Sequence, residues 1–142
     1  MRTTRINLLL GLGLLLAVGL ACNFSASTAN ISELKLGKAQ GAAQETTSFG
    51  ANDTVYAVAT VSNVPDKVKV KGVLGFEDVE GEQKGPIPGL EKTLDLPGSG
   101  TASYTFTPPP SGWPKGKYKI DVIMMDDAGQ QKDTKSATFS VS

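Results

Sequence analysis

The residues of this sequence that are best suited to chemistry are acidic. They form two groups: Glu77, Asp78, Glu80 and Glu82 in one, Asp126 and Asp127 in the other. Paired carboxylates can cleave glycosidic bonds when they flank a cleft, and their oxygens can hold calcium. The sequence contains no histidine, so the commonest general base and a frequent metal ligand are both missing. What the acids can do therefore depends on whether the fold brings them together.

Apolar and polar residues alternate with a period of two through most of the chain, which is typical of half-buried antiparallel strands. Glycine- and proline-rich stretches separate the alternating segments. The pattern predicts about seven strands: ISELKL (31–36), TVYAVATVS (54–62), KVKVKGVLGFE (67–77), LEKTLDL (90–96), TASYTFT (101–107), KYKIDVIMM (117–125) and SATFSVS (136–142). We therefore expect an all-β, two-sheet sandwich, with a jelly roll or a small barrel as alternatives.

The segment GWPKGKY (112–118), which precedes an alternating strand, resembles the approach to the sixth strand of immunoglobulin-like and fibronectin-like domains. The resemblance covers residues 31–142 and implies a fold rather than an activity. It implies a single immunoglobulin-like antiparallel β-sandwich in which Tyr118 takes the place of the corner tyrosine. The sequence departs from antibody-type domains, because it has no cysteine pair and no tryptophan on the third strand.

An immunoglobulin-like topology would separate the two acidic groups. It places residues 77–82 and 126–127 at opposite ends of the sandwich, where they cannot share a substrate or a calcium ion. We expect them to be solvated loop tips, the alternative being a cation site where Asp66 meets residues 126–127. With no histidine to pair with a serine nucleophile, we predict no enzyme activity, no cofactor and no metal ion.

The only cysteine, Cys22, ends the segment VGLAC (18–22). It follows two arginines and an apolar run over residues 6–20, which is typical of a signal-peptide core and short for a membrane span of about 20 residues. The segment resembles the lipobox of bacterial lipoprotein precursors. That resemblance implies cleavage after Ala21 and lipidation of Cys22, with palmitate among the acyl chains. The alternatives are an uncleaved membrane anchor and an ordinary secretory signal with an incidental cysteine.

These segments predict the organisation of the chain. Residues 1–21 form the signal peptide, residues 22–30 the lipidated cysteine and a flexible tether, and residues 31–142 the sandwich. We expect an anchor on the extracytoplasmic face of the cell membrane. It would be the outer membrane if the source has two, since Asn23 rather than aspartate follows the cysteine. The topology would also place SNVPD (62–66) and DDAGQQ near the tether, and the long loops that include PPPSGWPKG at the opposite pole.

Surface residues supply the candidates for partner contact. Lysines are predicted to face outward on the third and sixth strands: Lys67, Lys69, Lys71, Lys117 and Lys119. Such a stripe could meet an anionic phospholipid or polymer, although an ordinary solvated face is the preferred interpretation. Three apolar residues interrupt the same face: Val73, Ile123 and Met125. Clustered outward apolar residues can mark a partner site, whereas Met124 is expected in the core.

Trp113, the only tryptophan, lies in the proline-rich loop before the sixth strand. It is predicted to cap the core, and the alternative is an aromatic anchor for a partner. The 14 basic and 14 acidic residues balance, so charge gives no reason to expect nucleic acid. The sequence therefore predicts a binding or scaffolding module at the cell envelope, with an unidentified protein or polymer partner. A peptidase inhibitor or an accessory subunit of an envelope complex, acting through the distal loops, is the alternative.

Overall fold

The alternating segments form β-strands in the computed structural model, which describes residues 28–142. The predicted signal peptide and Cys22 lie outside the described residues. A short 3-10 turn at Gln40–Ala42 follows the first strand, and no helix within residues 28–142 is long and apolar enough to span a membrane. The strands are β1 (Asn30–Ala39), β2 (Ala43–Glu45), β3 (Ser48–Phe49), β4 (Val55–Ser62), β5 (Val68–Val79), β6 (Gly85–Leu96), β7 (Gly100–Phe106), β8 (Gly116–Asp126) and β9 (Gln131–Val141).

Two sheets face each other across one core. The first has the strand order β2-β1-β4-β7, and the second has the order β3-β9-β8-β5-β6. All neighbouring strands are antiparallel except β3 and β9, which run parallel. The chain crosses between the sheets from β4 to β5, from β6 to β7 and from β7 to β8, as in immunoglobulin-like sandwiches. The expected all-β, immunoglobulin-like fold is confirmed.

The described residues contain nine strands rather than seven. All seven expected strands are present, and the additional β2 and β3 are very short. They form where the chain leaves the first sheet after β1 and crosses to the edge of the second, so that Ser48 pairs with Ser140. Alternation over two or three residues is too short to mark a strand, so only long-range pairing reveals these two.

The inward faces of the strands follow the predicted alternation. Alternate residues of β4, β7 and β8 are buried, β5 follows the same pattern only over Val68–Lys71, and Met124 is fully buried as expected. Tyr104 of β7 crosses to the second sheet, where its hydroxyl donates to the carbonyl of Val70 at 2.7 Å. Its ring lies over Gly72, where any Cβ would approach the ring to 2.8 Å. Glycine at this position therefore lets the two sheets approach.

We call the end of the sandwich at which β1 begins the proximal pole, and the opposite end the distal pole. At the proximal pole β1 begins, with Asn30 opposite Ser62 and the Ile31 amide donating to Asp133 Oδ2 at 2.8 Å. The loops over residues 63–67, 97–99 and 127–130 lie at this pole. The distal pole carries the loops over residues 40–54, 80–84 and 107–115. The expected grouping of loops is therefore confirmed.

Candidate binding groove at the distal pole

The Trp113 side chain closes the core at the distal pole. Its exposed fraction is 4%, and its Nε1 donates to the carbonyl of Asp53 at 2.8 Å. The backbone amide of the same residue donates to the carbonyl of Ala51 at 2.7 Å. The indole ring meets the ring of Tyr118 edge-on, at 5.9 Å between centroids. The capping role expected for Trp113 is confirmed, and a partner role for its remaining exposed edge stays a prediction.

Tyr118 holds the base of the same loop. Its hydroxyl donates to the carbonyl of Pro114 at 2.6 Å, and its ring stacks on Phe139 at 5.2 Å. A bond from this tyrosine back to the chain a few residues upstream is the mark of the tyrosine corner, so this part of the resemblance is confirmed. Burial raises the pKa of Tyr118 to about 12, and the charge of Glu82 contributes to the rise. The phenol therefore remains a hydrogen-bond donor at neutral pH.

An irregularity in β6 opens a groove beside this loop. Val73 of β5 pairs with Glu91, whereas Gly75 pairs with Pro86, so residues 87–90 face the single residue Leu74. The extra residues bulge out of the sheet. The segment GPIPG looks like a turn in the sequence, although β6 begins at Gly85. Prolines at edges and bulges are the signal that could have indicated this irregularity.

The groove lies between the bulge and the proline-rich loop and has a volume of about 530 Å³. Most of its walls are apolar, and one carboxylate and two hydroxyls lie among them. The lining residues that matter here are Phe76, Glu82, Ile87, Leu90, Pro109 and Trp113. Ile87 and Leu90 are half-buried and pack against the edge of the core. Such walls suit apolar side chains of a partner, with few polar groups to orient them.

The outer face of the second sheet brings together the other predicted contact residues. Ile123 pairs with Lys71, and Met125 pairs with Lys69, so lysines alternate with half-buried apolar residues across β5 and β8. Val73 lies on this face as expected, but it is 8% exposed and therefore offers little surface. The neighbouring strands β6 and β8 flank Val73 through its register partners Glu91 and Asp121. A local sequence pattern does not reveal this coverage.

The lysines of this outer face lie among acids. Lys71 pairs with Glu91 at 3.2 Å, and Lys119 pairs with Asp121 at 3.4 Å. Lys69 lies opposite Asp95 in the register of β5 and β6. Because the opposite charges are interleaved, the face lacks a continuous positive stripe. This arrangement supports the solvated-face interpretation.

The two acidic groups lie apart, as predicted. Asp126 pairs with Val68 at one end of β5, whereas residues 77–82 lie at or beyond its other end. The carboxylate of Asp126 accepts the amides of Ala128 and Gln130 at 3.0 and 2.9 Å within its own turn. The Gln130 amide, followed by Lys132 and then the Ala128 amide, lowers the pKa of Asp126.

Neither acidic group meets the geometry of a metal site. Within residues 28–142, no three histidine, cysteine, aspartate or glutamate side chains are placed to hold a metal ion. The alternative of a cation site between Asp66 and the pair of residues 126–127 therefore has no geometric support. Asp66 instead accepts the amide of Lys67 at 2.8 Å.

The fold, rather than a sequence family, is what this chain shares with known proteins. No protein-family model and no curated protein sequence matches it. A β-glucosidase involved in saponin metabolism from intestinal bacteria matches with a TM-score of 0.50 and 19% identity, over 82% of this chain and 16% of that enzyme. The PmoD soluble domain from Methylocystis sp. ATCC 49242 matches with a TM-score of 0.46 and 17% identity, over 84% of this chain and 94% of that one. An immunoglobulin-like protein from Pseudomonas aeruginosa matches with a TM-score of 0.44 and 16% identity, over 83% and 99%.

The first of these similarities is one of fold alone. This chain spans a small part of the glucosidase, so it shares the β-sandwich and no activity follows. The protein is thus an immunoglobulin-like β-sandwich with an apolar groove at one pole.

Proposed function

We propose that this protein is a lipid-anchored binding module that presents its distal pole to a partner in the cell envelope. The observation that carries the proposal is the opposed placement of chain entry and groove. β1 begins at the proximal pole with Asn30, the last residue of the predicted tether (22–30), and the groove opens at the distal pole. An anchor at Cys22 would hold the proximal pole near the lipid surface and turn the groove away from it.

The chemistry of the distal pole suits binding. Ile87, Leu90 and the prolines of the loop over residues 107–115 present apolar surface in a concave shape, and concave apolar sites with few polar groups bind ligands or partner side chains. The loop is held in place by the amide of Gly112, which donates to the carbonyl of Pro109 at 2.8 Å, and by the buried Trp113. A pre-organised loop loses less conformational entropy on binding.

Catalysis is not part of the proposal. The carboxylates that could act in pairs lie at opposite poles, and no histidine exists to activate a serine. The partner would therefore be held rather than transformed, in the manner of a scaffold or an accessory subunit.

The anchor is tested with Cys22→Ala. We expect wild-type protein to incorporate labelled palmitate and to fractionate with membranes, because two or three acyl chains hold a protein firmly to a bilayer. The variant should incorporate no label and retain its signal peptide. If wild-type protein fractionates as a soluble species without acyl chains, the anchor is wrong, whatever the groove binds.

The groove is tested with a matched pair of substitutions. Ile87→Glu puts a charge into the groove, and Ile123→Glu puts the same charge on the outer face of the second sheet. Each full-length variant is cross-linked in intact envelopes and compared with wild type. We expect Ile87→Glu to reduce cross-linked partner about tenfold, since burying an unpaired charge is costly, and Ile123→Glu to leave it unchanged. The reverse result would move the binding surface to the outer face.

Peptidase inhibition is a second candidate, favoured by the rigidity of the proline-rich loop. Pro109, Pro110 and Ser111 are exposed at its tip, where an extended segment could enter a protease cleft. Replacing residues 108–111 with glycine and serine, while keeping Trp113, should abolish inhibition in a panel of secreted peptidases. Absence of inhibition by wild-type protein across the panel would remove this candidate and leave the binding module in place.

A further inference from the structure

The two sheets are unequal in width where β6 and β7 lie. Tyr104 of β7 rests on Gly72 and Val70 of β5, so β7 faces β5. The second sheet then continues by one more strand, β6, whereas the first sheet ends at β7. The strand position beside β7 and above β6 is therefore empty in the described part of the chain.

The edge of β7 lacks the features that usually keep an edge strand from pairing. Natural edges are short, charged, bulged or interrupted by proline. β7 runs for 7 residues, GTASYTF, with no charged residue and no proline. Its register with β4 is continuous from Val55↔Phe106 to Val61↔Gly100. By contrast, β6 carries Pro86, Pro88 and the bulge. A regular, uncharged edge is a template for another strand.

The inner face of β6 offers a partly covered apolar row beneath the empty position. Leu94 and Leu96 pair with the inward residues Val70 and Val68, and both are only half-buried. The row continues at the distal end through Leu90 into the groove. Lys92, opposite Gly72, lies on the same inner face and is exposed. Within residues 28–142 it forms no ion pair.

A second copy of this chain does not fit the empty position. If two copies paired β7 to β7 in antiparallel fashion, their sheets would become continuous and their inner faces would lie on the same side. The second copy's β7 would sit above the first copy's β6, where the second copy already holds its own β5. Two strands would then occupy one space, so β6 blocks pairing between copies and leaves room for a single donated strand.

We propose that the free edge of β7 accepts one extended strand from a partner protein, with apolar side chains at alternate positions and an acidic side chain among them facing Lys92. Backbone hydrogen bonds to β7 would supply affinity, and contacts between the apolar row from Leu96 to Leu90 and the side chains of the added strand would supply specificity. This inference rests on the proposed binding function and names the form of its partner. The added strand would fill the place opposite β6 and extend the apolar contact into the groove.

The test uses a synthetic peptide of seven residues, the length of β7. Its inward positions carry leucine or valine and one central glutamate, with threonine between them, and both termini are blocked. A control peptide has the same side chains but is N-methylated at every amide, so that neither of its edges can donate backbone hydrogen bonds. The full-length chain in detergent micelles is then followed by hydrogen–deuterium exchange. The first peptide should slow exchange in β7 about tenfold or more, and the methylated peptide should leave it unchanged.

Two variants of β6 test the charge. Lys92→Glu puts a glutamate on the inner face, and Thr93→Glu puts one on the outer face at the next position. Lys92→Glu should weaken the glutamate peptide about tenfold and favour a peptide that carries lysine in its place. Thr93→Glu should leave the affinities for the glutamate peptide and for the lysine peptide unchanged.

The outcomes separate this inference from the proposed function. Equal binding of the methylated peptide, or β7 amides that exchange unchanged, would overturn strand addition. Protection of β7 that grows with protein concentration without peptide would point to a second copy instead, and would also overturn it. If the partner binds wild-type protein without protecting the β7 amides, and Ile87→Glu still abolishes that binding, the binding module stands and only the strand inference fails.

Discussion

The two poles of the sandwich are held together by different forces. At the distal pole, the rings of Trp113, Tyr118 and Phe139 pack in sequence, and hydrogen bonds from the first two fix the loops around them. At the proximal pole, exposed hydrogen bonds hold the loops: the Val64 amide donates to Ser99 Oγ of another loop at 3.0 Å, and Asp126 closes its own turn. Loops tied to buried rings can present a fixed surface, whereas loops held by exposed hydrogen bonds tolerate change. The pole away from chain entry is therefore the better binding platform.

Substituting the cap should give the largest effect. Trp113→Ala removes a buried ring and should cost about 3–5 kcal/mol of unfolding free energy, measured by urea denaturation followed by circular dichroism. Wild-type fluorescence should be blue-shifted, since the indole is buried. Trp113→Phe should lose less, because a ring still fills the space. A red-shifted, quenchable wild-type tryptophan would break the comparison between the poles.

The distal end of β7 should be nearly as sensitive, and only on its inner face. Phe106→Ala deletes a ring that is 4% exposed and stacks beside Tyr104 at 6.5 Å. It should cost about 3–5 kcal/mol. Ser103→Ala, on the exposed face of the same strand, should stay within about 0.5 kcal/mol. Equal losses in chemical denaturation would mean that the register of β7 is shifted by one residue.

The corner hydrogen bond should matter less than the rings. Tyr118→Phe keeps the ring and removes the bond to the Pro114 carbonyl, for a loss of about 0.5–1.5 kcal/mol at neutral pH. The raised pKa of Tyr118, about 12, adds a pH dependence. Because the unfolded phenol ionises near pH 10, its contribution is complete below about pH 10 and declines as pH rises through 12.

Urea midpoints measured across this alkaline range test the pH dependence. They should fall more steeply for wild type than for Tyr118→Phe. The variant keeps the part of the alkaline pH dependence that comes from Tyr104, whose pKa is also raised by burial. Identical alkaline profiles would contradict the assignment.

The smallest effects should come from one carboxylate at each pole. The Gly50 amide, followed by Lys38, lowers the pKa of Asp53, and the Gln130 amide, followed by Lys132, lowers that of Asp126. Both groups therefore add stability above the unfolded pKa of about 3.9, and the addition is lost as pH falls through the folded pKa. Asp53→Asn and Asp126→Asn should each weaken the acid dependence of the urea midpoint.

Only Asp53→Asn should change the fluorescence of Trp113. The carbonyl of Asp53 accepts from Trp113 Nε1, so a loosened residue 53 should shift its fluorescence, whereas Asp126→Asn should not. A shift caused by Asp126→Asn would mean that the two poles are coupled through the core.

Features of the fold could be predicted from the sequence where they depend on residues that are close together along the chain. Alternation identified the inward rows, because the side-chain period of a strand is a local property, and Tyr104, Ile120 and Met124 are buried accordingly. The corner tyrosine was recognisable because its bond spans only a few residues of the chain. The separation of the acidic groups followed once the topology was assumed.

The groove and the empty strand position required the tertiary structure. The bulge at residues 87–90 exists only because Val73 pairs with Glu91 while Gly75 pairs with Pro86, and a sequence does not display register. Val73 likewise looks exposed by its period but is covered by neighbouring strands.

By itself, the sequence determined the all-β class, the inner faces of β4, β7 and β8, and the tryptophan cap, and it predicts a lipid anchor at Cys22. Each of these depends on residue type and near neighbours along the chain. The tertiary structure alone decided that β6 extends past β7, that a groove opens beside Trp113, and which edge is free to pair. These features arise from contacts between residues far apart in sequence, whose geometry is set by the register of whole strands.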